Sequence, residues 1–550
     1  MGKCISAAEA AGFVTDGATL AVSGFNGFGC PEDLLMTLAE QYDWTGIPKN
    51  VTLVKGASQG DSQGRGISRL AEKPGLFTTL ILSHLGCDPG LQKLVREEKA
   101  ACYLLPLGSL MALLRAMAAG LPGAVVRTGL GTFADPRGGG GKANQQARDA
   151  GREIVSLVEL GGQTCLFYPT FPIDVCFLRA TYGDENGNLS LQGEAMALEQ
   201  FELAAAVHNS GGVVIAQVDQ VVRAGSLPAH QVHIHGSLVD YLVEGRPEYS
   251  HQSFKTDLFR PELTGQTVVP LRPPAPQAMG PRKICCRRAA MELRQGMLLH
   301  LGMGMPGGIQ AVAQEEGLDT LFTPAQESGV LGGLPLTGLD YGAAVNPAAQ
   351  YRMADLLTLY AGGALDLAVL GFGEVDQYGN VNAHTLGGRL VGPGAFPDAA
   401  EHASKVCFIG TFTAGRQEVG LKGEGLVIHK QGSKKKFLSQ VEGITFSGPQ
   451  ALERNQEVLY ITERAVFRLE RAGLTLIEIA HGVDLEKDIL DQMDFRPVLP
   501  EYIRYMDPRL FREGPMGLTE EQMEQLMPEY EFWRDMPSGK GGQEREGAKE

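Results

Sequence analysis

The chain contains no CxxC pair, no Cys/His cluster with metal-ligand spacing, no apolar run of spanning length and no excess of positive charge. Each absence excludes something. Nine cysteines are scattered, and only Cys285 and Cys286 are adjacent. An odd count without a framework reads as reduced thiols, so a cytoplasmic location is expected and a disulfide scaffold is not. A membrane helix needs about 20 consecutive apolar residues, and a secreted chain needs a leader core; neither pattern is found, so no membrane partner is expected. Lys and Arg number 48 against 64 Asp and Glu, a net charge of −16. Duplex binding requires a basic face, so nucleic acid is not an expected partner. Met1-Gly2 with Ser6 meets a short acylation pattern. Ala7–Ala11 reads as a helix of the fold, and the match is taken as chance.

What is present is ordinary globular composition, 43% hydrophobic and 20% charged over 550 residues. That length suits roughly two to four domains with large cores. Residues 17–25 (GATLAVSGF) read as a buried strand that runs into the glycine-rich turn Gly24–Gly29, with Pro31 placed to open a helix. That helix carries Leu34, Leu35, Leu38 and Tyr42 on one face. A second strand, Val51–Lys55, a strand at 78–82, a helix at 89–100, a strand at 101–105 and a helix at 109–119 follow. Such alternation argues a parallel sheet with helices on both faces. Gly129–Gly141 (GLGTFADPRGGGG) is a long loop, of the kind that often carries function.

Residues 260–282 are rich in proline and read as a linker. After it the pattern restarts with a helix at 284–294, the strand Met297–Leu301, a glycine turn, and Pro306 before another helix. Register tests the restart. Asp174, Asp184, Gly187 and Asn188 match Asp366, Asp376, Gly379 and Asn380, each pair 192 residues apart. Each set includes a buried strand and a D-x-x-G-N turn, and a later apolar strand follows, Val213–Val218 and Val406–Gly410. The chain is therefore two doubly wound α/β halves fused head to tail, with a site expected where they meet. A helix over 349–362 should bury Met353, Leu356, Leu357 and Tyr360. The alternating segment 457–479 reads as antiparallel strands, and the tail from Pro537 as disordered.

The stretch Phe322–Pro335 (FTPAQESGVLGGLP) stands out. An apolar run ends in a single carboxylate, Glu327, followed by Ser328-Gly329 and Gly332-Gly333. In open α/β sheets, ligands sit beyond the carboxyl ends of the strands. Other motifs carry less. Gly302–Gly307 is a literal G-x-G-x-x-G, which would make Glu327 a ribose-binding acid in a nicotinamide enzyme. The matching turn of the first half lacks that spacing. Gly56–Gly60 fits G-x-S-x-G around Ser58, but a nucleophile elbow opens directly into a helix, whereas DSQGRG follows here. GGGGK at 138–142 lacks the first glycine and the Ser/Thr of a Walker loop. His233 and His235 fall on one face of a possible strand and read as structural. Lys434–Lys436 reads as a solvated turn, with phosphate contact as a second possibility. Gly392-Pro393-Gly394-Ala395-Phe396 is a bend whose backbone N–H groups can stabilise an oxyanion.

Taken together, TDGATLAVSGF, GLGTFADPRGGGGK, LFYPTFPIDV, RATYGDENGN, NSGGVVIAQV, AQESGVLGG, GEVDQYGN, IGTFTAG and ITERAVFRL…LIEIAHGVDLEKDIL resemble the family I CoA-transferases, most closely fused bacterial acetate/propionate members. The resemblance covers nearly the whole chain. It implies an α-like domain over 1–259, the linker over 260–282, and a β-like domain over 283–536 ahead of the tail 537–550. It implies that Glu327 is a covalent nucleophile, and that Gly392, Gly394 and Ala395 serve the oxyanion and CoA. Gly24, Phe25, Asn26, Ser58, Gln59 and Gly60 are expected in a substrate loop. Ala395 stands where the family usually has glycine. Leu107 stands where many members have glutamine, and Ala361 and Ala364 replace residues that are often glycine or polar. The implied reaction is ping-pong exchange of coenzyme A between short-chain acyl-CoA and carboxylic acids through a glutamyl-CoA thioester. No metal and no tightly bound cofactor are expected; acyl-CoA is the substrate, and a homo-oligomer (tetramer or dimer) is implied. The rivals are a 3-oxoacid CoA-transferase, a non-catalytic acyl-CoA-binding protein of the same fold, and the nicotinamide oxidoreductase.

Overall fold

The computed structural model describes residues 3–272 and 274–519. The acylation pattern at Met1-Gly2 and the tail from Pro537 lie outside the described residues; Ala7–Ala11 is a helix (α1), capped by Ser6 and Glu9 in a reciprocal capping box.

The first half is built on seven parallel strands: β1 (Thr19–Val22), β2 (Val51–Lys55), β3 (Phe77–Leu82), β4 (Ala101–Leu104), β5 (Val175–Asp184), β6 (Val213–Val222) and β7 (Tyr241–Glu244). Their order across the sheet is β7-β6-β5-β1-β2-β3-β4. The helices α2 (Glu32–Thr45), α3 (Pro89–Arg96), α4 (Leu107–Ala118) and α5 (Gln200–Asn209) belong to the same half. Pro31 precedes α2 as its cap instead of opening its first turn. The helix expected over 89–100 ends at Arg96, because Glu98 adopts a positive φ of 53°. The helix expected from 109 starts two residues earlier.

The second half is introduced by α6 (Pro281–Ala290), which begins inside the stretch read as linker because Pro281 opens it. The rest of that stretch is fastened down: Leu263 is fully buried, and Asn346 exchanges side-chain hydrogen bonds with both main-chain groups of Val269 (3.0 and 2.7 Å). Five parallel strands follow, β8 (Met297–Leu301), β9 (Phe322–Ala325), β10 (Leu367–Gly371), β11 (Lys405–Ile409) and β12 (Glu457–Ile461), joined antiparallel by β13 (Ala465–Glu470) and β14 (Gly473–Ile479). Helices α7 (Gly308–Glu316), α8 (Met353–Ala361) and α9 (Phe396–His402) lie between them in sequence. Met353, Leu356, Leu357 and Tyr360 of α8 are all buried, as their helical spacing requires.

The strand order β12-β11-β10-β8-β9 repeats β7-β6-β5-β1-β2, so the internal repeat is a repeat of topology. It is also a repeat of chemistry. Asp174 accepts the N–H of Thr19 on β1, and Asp366 accepts the N–H of Leu298 on β8, both at 2.7 Å. Asp184 accepts from the N–H of Asn186 and Asn188 and from the Asn188 amide (2.9–3.0 Å); Asp376 does the same with Tyr378 and Asn380 (3.0 Å). The side-chain oxygens of Asn188 and Asn380 then receive the N–H groups of Gly236 and Gly448. In each half the chain leaves its first strand toward one side and returns on the other, so β1/β5 and β8/β10 are topological switch points, where open sheets leave a crevice.

Two surface readings are corrected. His233 and His235 lie on no strand: His233 accepts the Leu191 N–H, and His235 caps a 3₁₀ turn. Lys434 and Lys435 are exposed, but Lys436 is buried, its Nζ 3.9 Å above the Phe372 ring. Burial lowers the Lys436 pKa to about 8. Among the described residues no helix is long and apolar enough to cross a membrane.

Candidate active site

Strand β9 stops at Ala325, and the chain reverses through Gln326–Gly329 into Val330-Leu331, which pairs back antiparallel. The Gln326 N–H bonds to the Val330 carbonyl (2.8 Å), and the Gly329 N–H to the Gln326 carbonyl (2.9 Å). Ser328 Oγ donates to the Gly342 carbonyl at 2.6 Å. Glu327 is thereby held on a stiff bend at the carboxyl end of the sheet, 8% exposed. Tyr341 donates its hydroxyl to Glu327 Oε2 at 2.9 Å. His300, on β8, places Nε2 3.9 Å from the same oxygen, and its Nδ1 lies 3.1 Å from the Ala325 carbonyl and 3.2 Å from the Tyr360 hydroxyl. Burial pushes the His300 pKa down, while the Glu327 charge pulls it up. Among the described residues Glu327 Oε1 has no hydrogen-bond partner. A carboxylate with one oxygen tied and the other free, surrounded by aromatic rings, is oriented and only partly solvated, which suits attack on an electrophile.

The first half reaches this bend directly. The Phe25 ring stacks on Tyr341 with centroids 6.2 Å apart, and the Asn26 amide donates to the Tyr341 carbonyl (3.4 Å). The Asn26 N–H bonds to the Ser58 carbonyl at 2.6 Å. From the other side, the 391–398 segment of the second half docks on the first. Leu85 N–H donates to the Val391 carbonyl, Leu107 N–H to the Gly394 carbonyl, and Gly108 N–H to Asp398 Oδ2 (2.9–3.0 Å).

The expected substrate and oxyanion residues separate on inspection. Gly24, Phe25, Asn26 and Ser58 lie along the seam between the halves, though Gly24 donates its N–H to Glu199. Gln59 and Gly60 do not line the seam. Gln59 is fully buried and bonds to the Val22 carbonyl and Asp88, and Gly60 packs on Asp88. The Gly392 and Gly394 amides are engaged by the His384 and Ser83 carbonyls (3.1 and 3.2 Å), so neither is free for an oxyanion. Among the described residues the Ala395 amide has no hydrogen-bond partner. Tyr341, His300, Asp398 and His84 were not singled out from sequence. A lone histidine inside the apolar strand MLLHL was the one visible signal.

Asp398 couples the seam to pH. Burial raises its pKa to about 7 against the pull of the Gly108 N–H, and the Glu327 charge adds to the rise. Glu401, one helical turn on, is raised to about 8 by burial. A carboxyl whose folded pKa exceeds its unfolded value binds more protons folded, so its stabilising contribution is full below about pH 4 and disappears as pH rises through the folded value. His84, His384 and His402 are depressed to about 4 by desolvation and act in the opposite sense, but only below about pH 6.5. Thermal unfolding is therefore expected at lower temperature at pH 8.5 than at pH 6.5, with the difference reduced in Asp398→Asn. Equal melting temperatures at the two pH values would contradict this assignment.

Two parallel-sheet halves that meet at one buried, hydroxyl-held carboxylate have the architecture of an α/β enzyme with its site at the seam. Residues 4–245 match the coenzyme A transferase family model. The chain is 40% identical to the caffeate CoA-transferase of Acetobacterium woodii, over 94% of this chain and 99% of that one. It is also 40% identical to the acetate CoA-transferase YdiF of Escherichia coli O157:H7, over 94% and 96%. The crystal structure of that YdiF as apoenzyme superposes with a TM-score of 0.88 at 39% identity, covering 94% of this chain and 98% of that one. The chain belongs to the coenzyme A transferase family, and it is an enzyme that moves coenzyme A between acyl-CoA and carboxylates. A coenzyme A transferase is neither a nicotinamide oxidoreductase nor a non-catalytic binding protein. Among the described residues no three His, Cys, Asp or Glu side chains are grouped to hold a metal ion.

Proposed function

We propose that the enzyme exchanges coenzyme A between short-chain acyl-CoA and carboxylic acids of the acetate/propionate type through a glutamyl-CoA thioester on Glu327. The observation that carries the reading is the position of Glu327: a half-tethered carboxylate on a rigid bend, at the seam of the two halves. A crystal structure of the YdiF relative described as a thioester complex with CoA, 38% identical with a TM-score of 0.87, supports it.

Glu327 Oε1 attacks the thioester carbonyl. The new C–O bond forms, the C–S bond breaks, and CoA leaves as thiolate. The thiolate then attacks the Glu327 carbonyl of the acyl-glutamyl anhydride. A C–S bond to Glu327 forms, and the first acid leaves as a carboxylate. A second carboxylate runs the two steps in reverse and departs as the new acyl-CoA. The anhydride keeps the thioester's free energy while the acids are swapped, which explains the need for a carboxylate nucleophile. Binding of the CoA nucleotide, remote from the bond changes, supplies energy that the weak nucleophile lacks. Tyr341 positions Glu327. We read the reaction as needing no tightly bound cofactor, and the enzyme as a cytoplasmic homo-oligomer.

The 3-oxoacid alternative has weaker support, since the mouse succinyl-CoA:3-ketoacid relative is 25% identical over 86% of this chain; a panel of acceptor acids separates the two. The direct test is incubation with propionyl-CoA, borohydride reduction and peptide mass mapping. Reduction confined to Glu327 is expected. An unmodified Glu327 peptide under turnover conditions would refute the mechanism.

A further inference from the structure

The same seam holds a second pair of polar side chains that the chemistry above does not use. His84 follows β3, with its N–H on the Gly56 carbonyl (3.1 Å) and its carbonyl receiving the buried Lys55 ammonium (2.8 Å). Its Nδ1 lies 2.8 Å from Ser58 Oγ, and the Gly86 N–H donates to it at 3.3 Å. A backbone N–H only donates, so Nδ1 is an acceptor, and the proton of the neutral ring sits on Nε2. Ser58 agrees: its Oγ receives the Cys87 N–H (3.1 Å) and directs its own proton to Nδ1. Burial, and then the Lys55 charge, hold the ring neutral, with its pKa near 4.

The Nε2–H has no partner among the described residues, and His84 is half-buried. It lies against the loop of the opposite half: a Cβ built on Gly394 would fall 3.6 Å from His84 Cδ2, the atom bonded to Nε2. The next residue along that loop is Ala395, whose amide is unengaged. Asp398, three residues further, feels the Glu327 charge. Ser58 is tied through Asn26 to Tyr341, the residue that holds Glu327. Two N–H donors without a partner among the described residues, one from each half, thus lie at the contact between His84 and the Gly394 loop.

We propose that His84 is a catalytic residue, donating its Nε2–H to the acyl-CoA carbonyl oxygen while Glu327 attacks, beside the Ala395 amide that the family resemblance already implies for the oxyanion. This rests on the function proposed above. The donor gives up no proton: as the C–O bond forms, the oxygen gains negative charge, and the hydrogen bond strengthens and then relaxes when CoA thiolate leaves. A neutral imidazole suits this role, because it is too weak an acid to protonate the oxyanion and stall its collapse.

The test is the single-turnover rate of Glu327 thioester formation from propionyl-CoA, followed by intact-protein mass. Loss of one such donor lowers the rate on the order of 100-fold. His84→Phe is expected to show that loss with the half-saturating acyl-CoA concentration changed less than about threefold, because a donor used in the transition state acts on rate. His84→Asn keeps an acceptor for Ser58 and Gly86 without a donor at the Nε2 position, and should be equally slow, even if the phenylalanine variant folds poorly. His84→Gln, whose amide reaches that position, should recover at least about tenfold of the loss. A rate within about threefold of wild type for His84→Asn, or no advantage of glutamine over asparagine, would overturn the proposal. A wild-type enzyme that never forms the thioester would instead overturn the function on which it rests, and the proposal with it.

Discussion

Glu327→Gln is expected to abolish CoA exchange, lowering kcat/KM on the order of 10⁵-fold, while leaving the fold intact. Removing a covalent nucleophile from a site that otherwise still binds its substrates has an effect of that size. Glutamine is the informative replacement because its amide carbonyl still accepts the Tyr341 hydroxyl, now 2.9 Å from Glu327 Oε2, and its volume matches the carboxylate. The bend at Gln326–Gly329 is held by main-chain bonds and by Ser328, none of which needs the Glu327 side chain. Thermal unfolding should therefore stay within about 2 °C of wild type, the shift expected of a change well under 1 kcal/mol. The variant should also yield no thioester-modified peptide. Exchange within tenfold of wild type would show that the nucleophile lies elsewhere.

Gly329→Ala is expected to be nearly as damaging without touching any reacting atom. Gly329 has φ +108°, outside the region L residues adopt, and a Cβ there would lie 2.0 Å from the Tyr351 carbonyl oxygen. That carbonyl cannot retreat cheaply, because the Tyr351 N–H is bonded to the Gly329 carbonyl (2.8 Å), and Gln350 is paired to Val330. The turn must move instead, and Glu327 moves with it. A displacement of about 1 Å at the reacting group costs on the order of 100-fold in rate. We expect kcat to fall by at least that factor and the melting temperature to drop by several degrees, since strained backbone of this kind costs about 1–3 kcal/mol. Steady-state kinetics and calorimetry on the same preparation check both. Normal kcat and melting temperature together would mean that the turn tolerates a different backbone path.

Much of the protein was legible without coordinates. The offset of 192 residues between Asp174 and Asp366, and between Asp184 and Asp376, turned out to mark hydrogen bonds made twice over. Such marks survive in sequence because each depends on a residue type at a fixed distance from its own strand. Element periodicity worked for the same reason, as at α8. The expectations that failed were those needing knowledge of a distant partner. Lys436 looked solvated because its neighbours are charged, yet it is covered by Phe372, 64 positions away.

The sequence by itself determined the two-half architecture and the bend that carries Glu327, which follow from local pattern and from one stretch repeating another; the class of reaction came from the resemblance of its motifs to a family. Only the tertiary structure decided which groups surround that carboxylate. Gly392 and Gly394 looked like oxyanion donors until His384 and Ser83 engaged their amides, leaving Ala395. Tyr341, His300 and His84 carry no motif at all. A hydrogen bond is a statement about two atoms, and when the second belongs to a segment hundreds of residues away, nothing in the neighbourhood of the first records it.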